Sequence, residues 1–269
     1  MILCGRNDTD DAVKAHDALV IEVVDFAKNY GNFPAVRELS FTVRPGEIVG
    51  LVGPNGAGKT TTLRALTGIL RPTRGTVRIG GRDLEQEPVA AKQQFAYIPD
   101  TVHPYDLLTV AEHLHFIALA YRIKDAEANY GELLEELGLA DKRDQIASSL
   151  SRGMTQKLAL ACAFLREPRV IILDEPLTGL DPRGIRNIKD SIHRRAADGT
   201  AFLLSSHLLH LVEALCDQVL ILHRGRKMAF GSLEQIRALA ALHADASLED
   251  VFFAVTERSD DPAALAGTS

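Results

Sequence analysis

Hydrophobic positions along the chain form two kinds of run. Ile48-Val49-Gly50-Leu51-Val52, Ala96–Pro99, Val170–Leu173, Ala201–Ser205 and Val219–Leu222 are short and almost wholly apolar, the pattern of parallel strands covered on both faces. Val20–Phe26, Leu39–Val43 and Thr76–Ile79 alternate apolar with polar positions, as antiparallel strands with one wet face do. Stretches of helical spacing lie between the runs. Leu63, Leu66 and Leu70 fall on one face after the first parallel run, and Gln156 to Leu165 reads as a helix before the third. Thr109 to about Leu150 is predicted helical, with Leu114, Ile117 and Tyr121, then Leu133, Leu134 and Leu137 ahead of a Gly138 stop. Strands alternating with helices predict an α/β fold: a parallel-sheet core, an antiparallel β subdomain, and an α-helical insert at about 101–152. Ser232-Leu233-Glu234-Gln235 and Ser247-Leu248-Glu249-Asp250 are N-cap signals that predict two short helices in a tail over 233–269, with a disordered end. Residues 1–19 are polar and aperiodic, as expected of a mobile N-terminal extension.

The strand–helix junction at Gly53-Pro54-Asn55-Gly56-Ala57-Gly58-Lys59-Thr60 fits G-x-x-x-x-G-K-[ST] with a strand before and a helix after. Glycines let successive N–H groups turn inward on an anion at the positive end of the following helix. Lys59 supplies a point charge for β- and γ-phosphates, and the Thr60 hydroxyl is placed to ligate Mg²⁺. The core is therefore expected to be a P-loop NTPase (RecA-like) sheet that binds a nucleoside triphosphate. A second apolar strand ends in Asp174-Glu175-Pro176. An acidic residue at a strand tip beside a P-loop can hold Mg²⁺ through water, the role expected of Asp174. Its neighbour Glu175 can orient and deprotonate the water that attacks the γ-phosphate.

Three further segments complete an ordered set: Leu150-Ser151-Arg152-Gly153-Met154, Leu177-Thr178-Gly179-Leu180-Asp181-Pro182, and Phe202-Leu203-Leu204-Ser205-Ser206-His207. In order and spacing, this set resembles the ATP-binding subunit of ABC transporters over roughly Val20 to Ser232, and most closely the ATPases of bacterial ABC-2-type exporters, whose membrane-spanning subunit is a separate chain. The resemblance implies roles residue by residue. Tyr30 would stack on adenine, with packing at a strand end as the alternative. Gly53, Pro54, Asn55, Gly56, Ala57, Gly58, Lys59, Thr60 and Thr61 would surround the phosphates. Ser151 and Gly153 would contact the γ-phosphate bound to a second subunit, and Asp181 would communicate across that interface. His207 would hydrogen-bond the γ-phosphate and position the attacking water beside Glu175.

Two positions depart from the family pattern. Where the family has Gln, Phe95-Ala96-Tyr97-Ile98-Pro99-Asp100 ends in Asp. Its oxygen is a hard donor suited to Mg²⁺, making Asp100 a metal candidate beside Thr60 and Asp174; turn chemistry is the other reading. Where the family has Ser-Gly-Gly-Gln, this chain has Ser151-Arg152-Gly153-Met154. Arg152 either reaches the triphosphate across the interface or lies in solvent.

Composition narrows the partners. At 269 residues and 46% hydrophobic, the chain can bury a large core. A net charge of −6 argues against a general nucleic-acid binder, so no nucleic-acid partner is expected. Cys4, Cys162 and Cys216 have no metal spacing and an odd count, which fits a reducing cytoplasm. His113 and His115 would point to different sides of a helix, a poor metal pair. No run reaches the ~20 apolar residues a membrane span needs. The expectation is a Mg²⁺-dependent ATPase, peripheral on the inner face of the membrane through a membrane-spanning permease subunit. It would act with a second ATPase subunit, first of all a copy of itself as a homodimer. Tyr105, Leu107 and Leu108 are candidates either for contact with the permease or for the insert's own core. The alternative function is a soluble ABC-type ATPase outside transport, whose second unit or long coiled coil is not seen here.

Overall fold

The structure is a computed structural model that describes residues 19–257. Residues 1–18 of the expected N-terminal extension, Cys4 and the expected disordered end lie outside the described residues. Ten strands form two sheets among the described residues. The first is antiparallel, in the order β2-β1-β4-β5, from β1 (Ile21–Tyr30), β2 (Phe33–Val43), β4 (Arg74–Ile79) and β5 (Arg82–Asp83). The second runs β10-β9-β3-β8-β7-β6, from β3 (Ile48–Val52), β6 (Phe95–Ile98), β7 (Val170–Asp174), β8 (Ala201–Ser205), β9 (Gln218–His223) and β10 (Arg226–Gly231). All its pairings are parallel except β10 on β9.

The second sheet divides two apolar cores, and this explains its unbroken hydrophobic runs. Ile48, Val52, Ile171, Leu173, Phe202, Leu204, Val219 and Ile221 face the core shared with the helical insert. Their alternates Val49, Leu51, Val170, Ile172, Ala201, Leu203, Leu220 and Leu222 face the core shared with the antiparallel sheet. Each such side chain contributes about 1.5–3 kcal/mol by leaving water, so a polar replacement without a hydrogen-bond partner would be costly on either face.

Nine helices accompany the sheets among the described residues: α1 (Lys59–Leu66), α2 (Pro88–Gln93), α3 (Val110–Tyr121), α4 (Glu127–Glu136), α5 (Arg152–Phe164), α6 (Pro182–Ala197), α7 (Leu209–Leu215), α8 (Leu233–Leu239) and α9 (Leu248–Glu257). Three differ from the sequence reading. Helix α1 stops at Leu66, so Leu70 lies beyond it; the Thr67 hydroxyl donates to the Leu63 carbonyl at 3.0 Å and Gly68 turns to φ 67°. The helix expected from Thr109 to about Leu150 is broken after Tyr121, where Arg122 adopts the left-handed conformation at φ 57°. Beyond Glu136, the segment continues only as two short 3-10 turns, after Gly138 at φ 67°. Helix α5 begins four residues earlier than the apolar spacing indicates, because Ser151 caps it.

Thr109 starts α3 with a reciprocal cap: its hydroxyl accepts from Glu112 N–H at 3.2 Å, and the Glu112 carboxylate accepts from Thr109 N–H at 2.7 Å. Ser232 with Gln235 and Ser247 with Asp250 do the same at α8 and α9. The Glu136 carboxylate accepts two bonds from the Arg195 guanidinium, at 2.6 and 3.0 Å, and ties α4 of the insert to α6. His113 and His115 do part company as their spacing requires. His113 is buried with its ring nitrogens on Thr109 O and Tyr105 N, and His115 is exposed beside Glu127. No helix among the described residues is long and apolar enough to cross a membrane.

Candidate active site

Gly53 leaves the end of β3 against the backbone of β9: a Cβ there would lie 2.4 Å from the Leu222 carbonyl oxygen. Gly58 stands at φ 105°, and a Cβ on it would come within 2.9 Å of the Ala35 carbonyl oxygen. Any side chain at either position would therefore displace the loop. Between them the chain curls ahead of α1, and the Lys59 ammonium spans the curl, donating to the Gly53 carbonyl at 2.5 Å and the Pro54 carbonyl at 3.2 Å. Burial lowers the Lys59 pKa below the usual lysine range, while Glu175 and Asp174 act to raise it.

Tyr30, Phe33 and Ala35 close a cleft of about 270 Å³ with residues 54–61. Tyr30 ends β1 and pairs with Phe33 across the Gly31-Asn32 turn, so two exposed rings stand at the cleft mouth. The sequence reading singled out Tyr30 alone. The Gly-Asn dipeptide was the signal that could have placed Phe33 beside it, since it marks a tight hairpin.

Beyond the loop, β7 delivers the acidic pair. The Ser205 hydroxyl donates a short hydrogen bond to Asp174 Oδ1. Burial raises the Asp174 pKa, opposed by that hydrogen bond and by Lys59, and assisted by Glu175 and Asp100. Glu175 takes φ 51°, a conformation that non-glycine residues seldom hold. Backbone N–H of Glu175 donates to the Ser205 carbonyl at 3.1 Å. Its Oε2 then meets His207 Nδ1 at 2.8 Å, and accepts from Ser206 hydroxyl at 3.4 Å and His207 N–H at 3.4 Å. A carboxylate so placed can take a proton, and the imidazole beside it is more than half exposed, free to face a ligand.

Thr60 and Asp174 offer hard oxygen donors of the kind Mg²⁺ takes. Among the described residues no three His, Cys, Asp or Glu side chains converge as a metal site. A bound Mg²⁺ would thus rely on phosphate oxygens and water for most of its shell.

The remaining predicted residues gather away from the cleft. Ser151 caps α5, its hydroxyl accepting from Met154 N–H at 3.3 Å; Asp181 caps α6, accepting from Gly184 N–H at 3.0 Å. Gly153 lies so close to Gly179 that a Cβ would stand 3.1 Å from the Gly179 carbonyl oxygen. Asp100 joins this second group through an ion pair with Arg152 at 3.2 Å. None of Asp100, Ser151, Gly153 and Asp181 lines the phosphate-loop cleft.

Other hollows border the insert, two of which bear on where the predicted residues lie. One of about 350 Å³ is walled by Tyr97, Pro99, Tyr105, Phe116, Tyr121 and Arg166 among others. Tyr105 meets Phe116 edge to face at 5.2 Å. Leu107 nearby is 84% exposed, whereas Leu108 is half-buried and its carbonyl accepts from Ala147 N–H. The other, about 640 Å³ between α4, α5 and α6, contains none of the predicted site residues. Cys162 and Cys216 are free thiols; burial pushes Cys162 up to about 12 and raises Cys216 as well, so neither is a nucleophile at neutral pH.

The family profile described as ABC transporter matches residues 36–178. Similar proteins include "ABC-type transporter ATP-binding protein EcsA" of Bacillus subtilis (strain 168), 36% identical over 240 residues, which span 88% of this chain and 97% of the relative. "Nod factor export ATP-binding protein I" of Paraburkholderia xenovorans (strain LB400) is 39% identical over 214 residues, 79% of this chain and 70% of the relative. Among solved structures, "Structure of ATP binding subunit of ABC transporter" superposes with a TM-score of 0.84 at 38% identity, covering 88% of this chain and 99% of that one.

Proposed function

The chain belongs to the ABC transporter ATP-binding family, the subunits that bind and hydrolyse ATP to power transport, and on that premise we propose how its residues divide the work. The observation that carries the proposal is the Glu175–His207 pair at 2.8 Å, set on the strand tips beside Asp174 and the Lys59 loop.

ATP takes the cleft at the phosphate loop. Tyr30 and Phe33 offer ring faces to adenine, backbone N–H groups of residues 55–61 hold the phosphates, and Lys59 exchanges its two carbonyl partners for phosphate oxygens. Thr60 and Asp174 would hold Mg²⁺, which when bound would neutralise charge on the phosphates. Glu175 accepts a proton from the attacking water through its carboxylate. His207, oriented by that same carboxylate, donates toward the γ-phosphate. Ser151 and Gly153 serve the nucleotide of a second subunit, a copy of this chain, with Asp181 at the shared boundary.

The permease occupies the hollow between β6 and the insert. Its aromatic wall and the exposed Leu107 suit an apolar helix end. The subunit would thereby sit on the cytoplasmic face of the membrane without entering it. By likeness to the relative named for Nod factor export, the direction proposed is export.

Phosphate release by the purified chain tests this reading. Turnover is expected only with Mg²⁺. Glu175→Gln should cut it by two to four orders of magnitude, the usual worth of a positioned base, while ATP binding persists and an ATP-bound dimer accumulates on size exclusion. Near-normal turnover in that variant would remove Glu175 from the role.

A further inference from the structure

The two positions that depart from the family pattern are partners. Arg152 Nη2 lies 3.2 Å from Asp100 Oδ1. Its stem crosses Gly179 on the way: a Cβ at Gly179 would stand 3.4 Å from Arg152 Cδ and 3.6 Å from Nε. Three loops therefore meet at one side chain: the loop after β6, the start of α5, and the loop between Glu175 and Asp181. The pair is open to solvent, with the Arg152 side chain 63% and the Asp100 side chain 49% exposed. Such a pair is weak and quick to exchange, a poor brace for a fold and a good gate for an ion.

Ile98 pairs with Leu173, which sets the tips of β6 and β7 side by side, so Asp100, two residues beyond Ile98, stands close enough to Asp174 to act electrostatically on it. The same carboxylate is thus within the field of the metal-holding residue and in the grip of a guanidinium. We propose that Arg152 and Mg²⁺ compete for Asp100, so that metal arriving with ATP at one site frees the Arg152 side chain, which lies between Ser151 and Gly153 at the start of α5. This rests on the reading above, in which Asp174 holds the metal of the chain's own site while Ser151 and Gly153 serve the partner's nucleotide, and it adds Asp100, beside Asp174, to the metal's donors. The pair would then report occupancy of one site to the Ser151–Gly153 segment that serves the other. Arg152 is a positioning residue in this scheme. A guanidinium holds the carboxylate through a directional N–H···O bond; a lysine would hold it as a looser point charge.

The test is a Mg²⁺ titration of fluorescent ATP-analogue binding to the full chain carrying Glu175→Gln, read as the Mg²⁺ midpoint and not as turnover. Arg152→Gln should lower the midpoint by roughly two- to fivefold, the range an exposed ion pair supplies. Arg152→Lys should fall between. Asp100→Asn should raise the midpoint, and adding Arg152→Gln to Asp100→Asn should change nothing further. A midpoint unmoved or raised by Arg152→Gln, with Asp100→Asn still raising it, overturns the competition and leaves Asp100 as a metal residue. A midpoint unmoved by Asp100→Asn instead removes Asp100 from the metal. If Arg152→Gln lowers the midpoint equally without the Asp100 carboxylate, Arg152 acts only through its general field, and the proposal fails.

Discussion

Asp174 is held where ionisation costs the fold. Its folded pKa is raised, chiefly by burial, so the protonated form is favoured on folding. That contribution is fully present below the unfolded pKa near 4 and is lost as pH rises through the higher folded value. At neutral pH the charged carboxylate is thus a burden that a metal bound there would relieve. Asp174→Asn keeps an Oδ1 to accept from Ser205 and removes the charge. Without nucleotide its melting midpoint at pH 7 should exceed the parent's by on the order of one to a few degrees, solvent screening included, and the gap should close toward pH 4. Stabilisation by Mg²⁺ with ATP should be lost in the same variant; a lower midpoint at pH 7 would refute the account. Residue roles were legible in the sequence where the backbone itself demands a residue, as at Gly53 and Gly58. The Asp100–Arg152 pair was not, because 52 positions separate its members and nothing local marks either as the other's partner.

At the level of elements, the start of the insert depends on a few hydrogen bonds. Thr109 and Glu112 cap α3 reciprocally, and His113, one residue later, is pinned by the Thr109 carbonyl and Tyr105 N–H. Thr109→Ala leaves the Glu112 N–H without its partner and should cost about 1 kcal/mol, a fall of roughly 2–4 °C in melting midpoint. Urea unfolding followed by circular dichroism would read it; an unchanged midpoint would mean the cap contributes nothing. This cap lies within the expected helix, and the Ser232 and Ser247 caps were visible as short motifs. The break at Arg122 was not, since a non-glycine residue in the left-handed conformation carries no composition signal. Strand β10 was missed for a different reason: its apolar run, Met228-Ala229-Phe230, is only three residues long behind the charged Arg226 and Lys227, as suits an edge strand. The core strands could be read because both their faces are covered.

Across the whole molecule, the proposed assembly would set the insert between the nucleotide and the permease. Leu107 is almost fully exposed, whereas Leu108 is half-buried with its carbonyl accepting from Ala147 N–H, so Leu107 is the one to test for contact with the permease. Leu107→Glu should weaken co-purification with the permease at least tenfold while Mg²⁺-ATPase activity of the isolated chain stays within twofold, because one buried apolar side chain is worth about 1.5–3 kcal/mol. Loss of both together would mean an unfolded insert, and an undiminished complex would place the docking surface elsewhere. The strand that carries the phosphate loop has a further consequence for the life of the chain. Strand β3 lies between β8 and β9, whose residues follow it by some 150 positions, and Gly53 is seated on the backbone of Leu222. At about 5–20 residues per second, a ribosome that has just released β3 must work for many seconds more before either neighbour emerges. During that interval the loop has no sheet to hang from and no carbonyl of Leu222 to define its curl. Until β8 and β9 have been made, the nascent chain therefore lacks the support that shapes its phosphate loop, and ATP binding must wait for residues about 150 positions downstream.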